Sequence, residues 1–358
     1  MNILGINISH DTSIGLIKDG KIDLYQEEKK LLNLDAYDPI NISCELITKQ
    51  QRKFFNNFIG SNEVIPKSLG FQLKCIDAYI KEKPDLVIYS SYDRTLPDET
   101  NYGDTVLIEE LQKQLNYPKY LFFKKNHHIY HAFNAFHLSN FDDALCIVLD
   151  GGGAQIVTSF QEIESIFYLN RNEYKYFYQH LSNNRFLIID DIIKLNSRIY
   201  EKINGVETVM SSETSSGMKF SELAEEIRLE KKYSNEISMN FIIKEMMQLY
   251  HLGNENGNRL EDAIKKLHIE TKNETIKFIE KALSYHKTKN IILSGGYALN
   301  HINNAEYKKH FSDYNFFFDP WAHDGGTASG AALWLDFHLN KLNIPFEELE
   351  KRQNEVFA

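Results

Sequence analysis

The chain opens with a short apolar run from Asn2 to Ile8 and is apolar again from Ile14 to Ile17, after the polar Asp11-Thr12-Ser13. Lys18-Asp19-Gly20-Lys21 follows, and its Asp-Gly pair supplies the positive φ that a two-residue hairpin needs. With Ile22 to Gln26 as a third strand, the pattern predicts a small antiparallel meander. From Glu28 to about Asn62 the chain is polar and mixed, as expected of loop and helix. Residues 70–82 carry Phe71, Leu73, Ile76, Tyr79 and Ile80 at helical spacing. Lys83-Pro84-Asp85 breaks that helix, and Leu86 to Tyr89 reads as a buried strand. Tyr120 to Phe123 predicts another, leading into His127 and a helix built on Ala132, Phe133, Ala135 and Phe136.

At Asn140-Phe141-Asp142-Asp143 the pattern restarts. Ala144 to Leu149 predicts a strand, Asp150-Gly151-Gly152-Gly153 a turn, and Gln155 to Phe160 the strand that returns. Residues 161–215 show no firm period and read as an irregular insertion. Helical patterns occupy 220–250 and 258–286. Ile291 to Leu293 predicts a strand that meets Ser294-Gly295-Gly296, and a last helix over 327–342 rests on Ala328, Ala331, Ala332, Leu335 and Phe337. The expected architecture is α/β, with an N-terminal lobe over 1–140 and a related C-terminal lobe over 141–358 closing on a cleft.

Composition changes this picture little. The 358 residues are 42% hydrophobic and 25% charged, enough for two lobes with real cores. A formal net charge of -10 weighs against nucleic acid or an anionic membrane as partner. No apolar run reaches bilayer length, and the first residues lack the sections of a signal peptide. Cys44, Cys75 and Cys146 are widely spaced, which fits reduced, buried thiols in the cytoplasm.

The candidate chemistry starts at His127-His128-Ile129-Tyr130-His131, which puts two imidazoles four apart on one helical face. Two nitrogens so placed can grip one divalent transition metal, although an exposed or structurally satisfied histidine pair has the same spacing. Asp324, in Trp321-Ala322-His323-Asp324-Gly325-Gly326-Thr327, is the best carboxylate to complete such a site; alternatively Asp324 or Thr327 only caps the helix that follows. Three loops share one design, a strand followed by small or acidic residues: Asn7 to Ser13, Asp150 to Gly153, and Ser294 to Gly296. Backbone N–H groups in such loops bind phosphate. In the first loop, His10 and Asp11 are placed to orient or deprotonate a hydroxyl, unless Asp11 and Ser13 merely shape the turn.

These residues resemble those of the nucleotide-dependent O-carbamoyltransferases of antibiotic and nodulation-factor biosynthesis. Gly5-Ile6-Asn7 with His10-Asp11-x-Ser13 is similar to their opening, and Glu27-Glu28-Lys29 to their acidic strand end, without the usual arginine after it. His127-His128-x-x-His131-Ala132 resembles their histidine motif, and Asp150-Gly151-x-Gly153 their second phosphate loop. Gly295-Gly296-x-Ala298-Leu299-Asn300 with Asn304 resembles their nucleotide turn. Pro320 and Asp324-x-Gly326-Thr327-Ala328-x-Gly330-Ala331-Ala332 are similar to their closing motif.

The resemblance implies the two-lobed fold of the actin, sugar-kinase and heat-shock ATPase superfamily, with duplicated ribonuclease-H-like lobes. It implies Fe2+ or another divalent metal on His127, His131 and Asp324. A carbamoyl-adenylate, made from carbamoyl phosphate and ATP, would pass its carbamoyl group to a hydroxyl of a sugar, an antibiotic or a hydroxymethylated nucleotide. His10 or Asp11 would assist proton removal. The nucleotide would be held at Ser13, Asp150, Gly151, Gly153, Gly295, Gly296, Asn300 and Asn304, and by Lys219 in a nucleotide-facing loop. The family's further C-terminal domain, which forms the carbamoyl-adenylate, is expected to be absent from this sequence, so that either a separate protein supplies the intermediate or the chain is one piece of a longer or split enzyme; a homodimer is a further expected assembly. Two other readings stay open: a relative of the tRNA threonylcarbamoyltransferases, and a non-catalytic subunit that binds metal and nucleotide.

Overall fold

The computed structural model describes residues 1–9, 11–27, 76, 79–91, 108–109, 111–113, 115–117, 119–157, 160–182 and 257–353. The helix expected over 220–250, His10, Lys219 and most of the helix over 70–82 lie outside them. The first sheet holds β1 (Asn2–Asn7), β2 (Ser13–Lys18), β3 (Lys21–Glu27), β4 (Leu86–Ser90) and β5 (Tyr120–Phe122). Its order is β3-β2-β1-β4-β5, with β1–β2 and β2–β3 antiparallel and β1–β4 and β4–β5 parallel. The β2–β3 turn is the one the sequence predicts: Lys18 pairs with Lys21, and Asp19 and Gly20 take φ of 48° and 75°.

The helix α1 (His127–Ser139) leads into the second sheet, made of β6 (Asp143–Leu149), β7 (Gln155–Val157), β8 (Phe160–Asn170), β9 (Tyr174–Ser182), β10 (Asn290–Ser294) and β11 (Asn315–Phe318). Read as β9-β8-β6-β10-β11 it repeats the first sheet, two antiparallel pairings followed by two parallel ones. The duplication expected from the restarted pattern is therefore present strand for strand.

Two expectations need correction. Asp150 to Gly153 is not the hairpin turn, because β7 pairs with the same strand as β6 and simply continues its line after an interruption. The returning strand is β8, which starts only at Phe160. Residues 161–182, read as irregular, form β8 and β9. Their tyrosines and β-branched residues pair across strands, and register shifts at Glu162/Glu164 and Ile166/Phe167 blur the period of two that would have marked them as strands.

Further helices are α2 (Gly257–Tyr285), α3 (His301–His310), α4 (Gly326–Asn340) and the short α5 (Phe346–Lys351). The central strand β6 is buried on both faces. Leu145, Ile147 and Leu149 pack with Phe278, Ile279 and Ala282 of α2. Ala144, Cys146 and Val148 pack toward a core shared with α1, α4 and the first sheet's Ile3 and Ile88. This two-sided burial explains why these strands read as continuous apolar runs.

The two inner helices are exchanged between the halves of the chain. α1, which follows the first sheet, packs on β6, β8 and β10; α4, which follows the second, packs on β1, β2 and β4. They also pack on each other, so closely that a Cβ at Gly330 would overlap the Tyr130 carbonyl; α4 lies as tightly on β1, where a Cβ at Gly5 would overlap the Ala328 carbonyl. We expect Gly330→Ala to force α1 and α4 apart and cost about 3 kcal/mol in urea unfolding. Gly152→Ala, whose Cβ meets only the end of the Gln161 side chain at 3.0 Å, should cost far less.

α4 also carries a pH-sensitive contact. His338 Nδ1 donates to the Trp334 carbonyl at 2.8 Å, so its Nε2 is the acceptor for Tyr174 Oη at 3.2 Å. Burial, despite the Trp334 hydrogen bond, pushes this imidazole down to about 4. The unfolded chain therefore takes up the proton first, and stability should fall between pH 6.5 and 4 by about 1.4 kcal/mol per unit. In His338→Gln the slope of unfolding free energy against pH over that range should be shallower by up to one proton.

Candidate metal centre and glycine loops

The first turn of α1 begins after Asn126 and aims His127 and His131 to the same side, as four-residue spacing requires. Their Nε2 atoms point at one another, 3.1 Å apart. Two ring nitrogens so directed need a positive charge between them, either a proton or a metal ion. Asp150, at the end of β6, brings Oδ2 to 3.1 Å from His127 and 3.7 Å from His131. Asp324, ahead of α4, brings Oδ1 to 3.3 Å and 3.7 Å from the same nitrogens. One ligand atom from each of the four residues lies within 4.8 Å of all the others, and all four side chains are buried.

The second oxygen of each carboxylate is held separately. Asp150 Oδ1 accepts from the Gly151 N–H at 2.8 Å, and Asp324 Oδ2 accepts from Ser9 Oγ at 3.1 Å. One oxygen of each acid is thus fixed by a donor and the other turned to the centre, the usual arrangement behind metal ligands. Metal bonds of about 2.0–2.2 Å put neighbouring ligand atoms roughly 3.0–3.4 Å apart, and the contacts of 3.1 and 3.3 Å match. Mixed imidazole and carboxylate donors suit a divalent transition metal better than calcium or magnesium. The residues therefore fit the metal that the histidine spacing suggested.

Charge within the cluster is tightly coupled. Burial alone would pull His127 down, but the charge of Asp324 and the hydrogen bond to Asp150 hold it up at about 10. His131 is raised against burial by its bonds to Asp150 and Asp324. Asp150 is kept far below the ordinary carboxylate range, in spite of burial, by the two histidines.

The structure brings together His127, His131 and Asp324, and it adds Asp150, which sequence reasoning had assigned to phosphate binding. The missed signal is topological: Asp150 ends the central strand, beside the parallel strand β10, where the carboxyl ends of parallel strands face a ligand crevice. The capping alternative for Asp324 fails, since its carboxylate faces the histidines and α4 has no side-chain cap. Ser13 is fully buried and donates to the Gly325 carbonyl at 2.7 Å, so it ties the first loop to the Asp324 segment. Asp11 lies outside the cluster, 3.8 Å from His323 Nδ1.

The other glycine loops flank the centre. Gly153 donates its N–H to the Glu162 carbonyl and leaves room for the ring of His128, which a Cβ would meet at 2.6 Å. Gly295, with φ of 83°, passes the carbonyl of Leu149, where any Cβ would collide. Gly296 opens a 3-10 turn, Asn300 accepts from the Asn303 N–H at its end, and Asn304 donates to the Ala298 carbonyl at 2.7 Å. Both asparagines brace the turn by these bonds. Sequence reasoning also missed Asp319 and Asn134: behind His131, Asp319 accepts from Asn134 Nδ2 and from Ser294 Oγ, a residue read only as the start of its glycine loop.

With this geometry in place, the comparisons with known proteins identify the class. The sequence model described as "Carbamoyltransferase N-terminus" matches residues 2–333, and the chain belongs to that family. No curated protein matches the sequence. Among solved structures, HypF of T. kodakarensis matches over 98% of this chain and 49% of its own, at 14% identity and a TM-score of 0.54. Full-length HypF in a phosphate- and nucleotide-bound form matches over 95% and 46%, at 13% identity and a TM-score of 0.51. Component A of the (R)-2-hydroxyglutaryl-CoA dehydratase of Acidaminococcus fermentans matches over 93% and 97%, at 14% identity and a TM-score of 0.48. These likenesses concern the fold, and the chain spans about half the length of the HypF chains. The family and the duplicated sheets together define a domain of the carbamoyltransferase N-terminus family, built from two α/β sheets of matching order in a fold like that matched in HypF. Among the described residues no helix is long and apolar enough to cross a membrane.

We expect the purified protein to carry about one divalent transition-metal ion per chain, read by elemental mass spectrometry, and His131→Ala and Asp324→Ala to lose it. Ser9→Ala, which frees only the outer oxygen of Asp324, should retain the site but weaken metal affinity by about 10–100-fold.

Proposed function

We propose that this protein is an O-carbamoyltransferase that moves the carbamoyl group of carbamoyl-adenylate to the hydroxyl of an acceptor. The observation that carries the proposal is the buried meeting of His127, His131, Asp150 and Asp324 between glycine loops, in a chain of the carbamoyltransferase family. The donor is made from carbamoyl phosphate and ATP, either by a further domain or by a separate protein. The acceptor is a sugar, an antibiotic or a hydroxymethylated nucleotide. The HypF fold carries phosphate and nucleotide in its own structure, which supports the nucleotide assignment. We assign the protein to the cytoplasm.

His127, His131, Asp150 and Asp324 would hold the metal, Fe2+ on this reading, which would supply Lewis-acid polarisation of the carbamoyl carbonyl or of the acceptor oxygen. The chain's own residues do the rest. Asp150 and Asp324 neutralise the ion and hold it against α1. Gly295 and Gly296 bring backbone N–H groups to the adenylate phosphate, with Gly151 and Gly153 letting the second loop approach it, Asn300 and Asn304 fixing the shape of the turn and Lys219 adding a cation. Asp11 accepts the proton of the acceptor hydroxyl, with His10 beside it in sequence, as oxygen bonds to the carbamoyl carbon and the adenylate leaves.

The test supplies protein, ATP, labelled carbamoyl phosphate, a partner that forms the adenylate, and a panel of hydroxyl acceptors. Label should pass to an acceptor hydroxyl, fall by about a hundredfold or more in Asp11→Asn, and vanish in Asp324→Ala. Undiminished transfer by metal-stripped Asp324→Ala would rule the mechanism out.

A further inference from the structure

Asp319 stands behind the metal centre, one residue beyond β11, and its side chain is almost fully buried at 1% exposure. Its two oxygens gather donors from three segments. Oδ1 accepts from the Trp321 N–H at 2.9 Å, at the start of the segment that presents Asp324. Oδ2 accepts from Ser294 Oγ at 2.8 Å, the residue immediately before the Gly295–Gly296 turn. Asn134 Nδ2, one helical turn beyond His131 on α1, reaches both oxygens at 3.3 and 3.2 Å. Ser294 Oγ also lies 3.5 Å from the carbonyl of His131 itself.

Among the described residues the donors to Asp319 are all neutral and no counter-ion is in contact, which makes a desolvated carboxylate an expensive way to join three segments. Packing alone would be served by an apolar side chain of the same size. What the carboxylate adds is a rigid, acceptor-only hub. Every donor is fixed in direction by the same two oxygens, so a shift of one segment is transmitted to the other two. The segments so joined are the glycine turn assigned to nucleotide, the helix of both metal-binding histidines, and the loop of the metal-binding aspartate.

We propose that Asp319 links the nucleotide turn to the metal centre, so that occupancy of either site tightens the other; this rests on the nucleotide assignment made above. Nucleotide seated on Gly295 and Gly296 fixes Ser294, and through Asp319 it holds the Asp324 segment and Asn134 in the metal-binding arrangement. Linkage is reciprocal, so metal must strengthen nucleotide binding by the same factor.

The experiment titrates the full chain, stripped of metal, with Co2+, whose visible absorption reports imidazole and carboxylate ligation. Each titration is run with and without a non-hydrolysable ATP analogue, and binding of the analogue is measured separately by calorimetry. In the wild type the analogue should tighten Co2+ binding by roughly tenfold. In Asp319→Asn and in Ser294→Ala that ratio should fall to about one, while the Co2+ absorption bands persist because the four ligands remain. Ser294→Ala removes one hydroxyl and keeps the test valid if Asp319→Asn does not fold.

A merely structural Asp319 would lower the melting temperature and leave the ratio intact, and that result overturns the proposal. So does a wild-type ratio of one in the presence of bound analogue. If the analogue does not bind the wild type at all, the nucleotide assignment falls, and this link with it.

Discussion

Asp150 and Asp324 are both removed from water, and each lies against the same two imidazoles. A buried carboxylate costs several kcal/mol unless opposite charge and hydrogen bonds offset it. Here the offset comes from His127 and His131, with the Gly151 N–H and the Ser9 hydroxyl on the outer oxygens. None of these donors is near another in sequence except the two histidines. The chain must therefore deliver four separate segments to one point: the loop after β1, the start of α1, the end of β6 and the loop before α4. A misplacement of about an ångström would leave two buried charges unmatched.

The exchange of the inner helices achieves that placement. Because α1 crosses to the second sheet, its histidines arrive beside Asp150 at the end of β6. Because α4 crosses to the first sheet, its leading Asp324 arrives beside Ser9 after β1. The two helices are locked at backbone contact through Gly330 and Tyr130. Tertiary hydrogen bonds then stitch the crossing from both sides: Ser13 to the Gly325 carbonyl, and Ser90 Oγ to Thr327 Oγ1 at 2.7 Å. The metal centre thus sits where the carboxyl ends of parallel strands from both sheets converge, and it binds the halves of the chain to each other.

Much of this was legible in the residues. Strands buried on both faces announce themselves as apolar runs, and the Asp19-Gly20 turn fixed the first hairpin. The histidine pair gave its own geometry through helical spacing. Asp324 could be picked out in the sequence as an acid just ahead of a helix that starts on small residues, but only the structure separates its place beside the histidines from a capping role. Asp150 was legible as a residue but not in its role, because a strand-end aspartate before three glycines reads equally as a phosphate loop. Its ligand role depends on β6 lying next to β10 and beneath α1, which is a fact of sheet order. Asp319 was invisible for a related reason: its partners Asn134 and Ser294 are far away in sequence and share no local pattern with it. β8 and β9 were lost because register shifts interrupt their alternation.

The surroundings of the centre are not uniform, and this bears on how an acceptor approaches. On the side of Gly295 and Asp319 the walls are packed strand ends and helix. On the side of the first loop, Asp11 and His323 remain partly open, with side chains 14% and 13% exposed. His323 Nδ1 accepts from the Gly325 N–H at 3.1 Å, so the ring proton resides on Nε2, 3.5 Å from the buried Glu27. That arrangement fixes the imidazole one residue before Asp324, with its Nδ1 3.8 Å from Asp11. Beside it Tyr25 and Trp321 stack with ring centroids 4.0 Å apart. On the proposed carbamoyl transfer, the proton acceptor Asp11 therefore stands on the more exposed side of the cluster, beside His323 in the segment that presents Asp324.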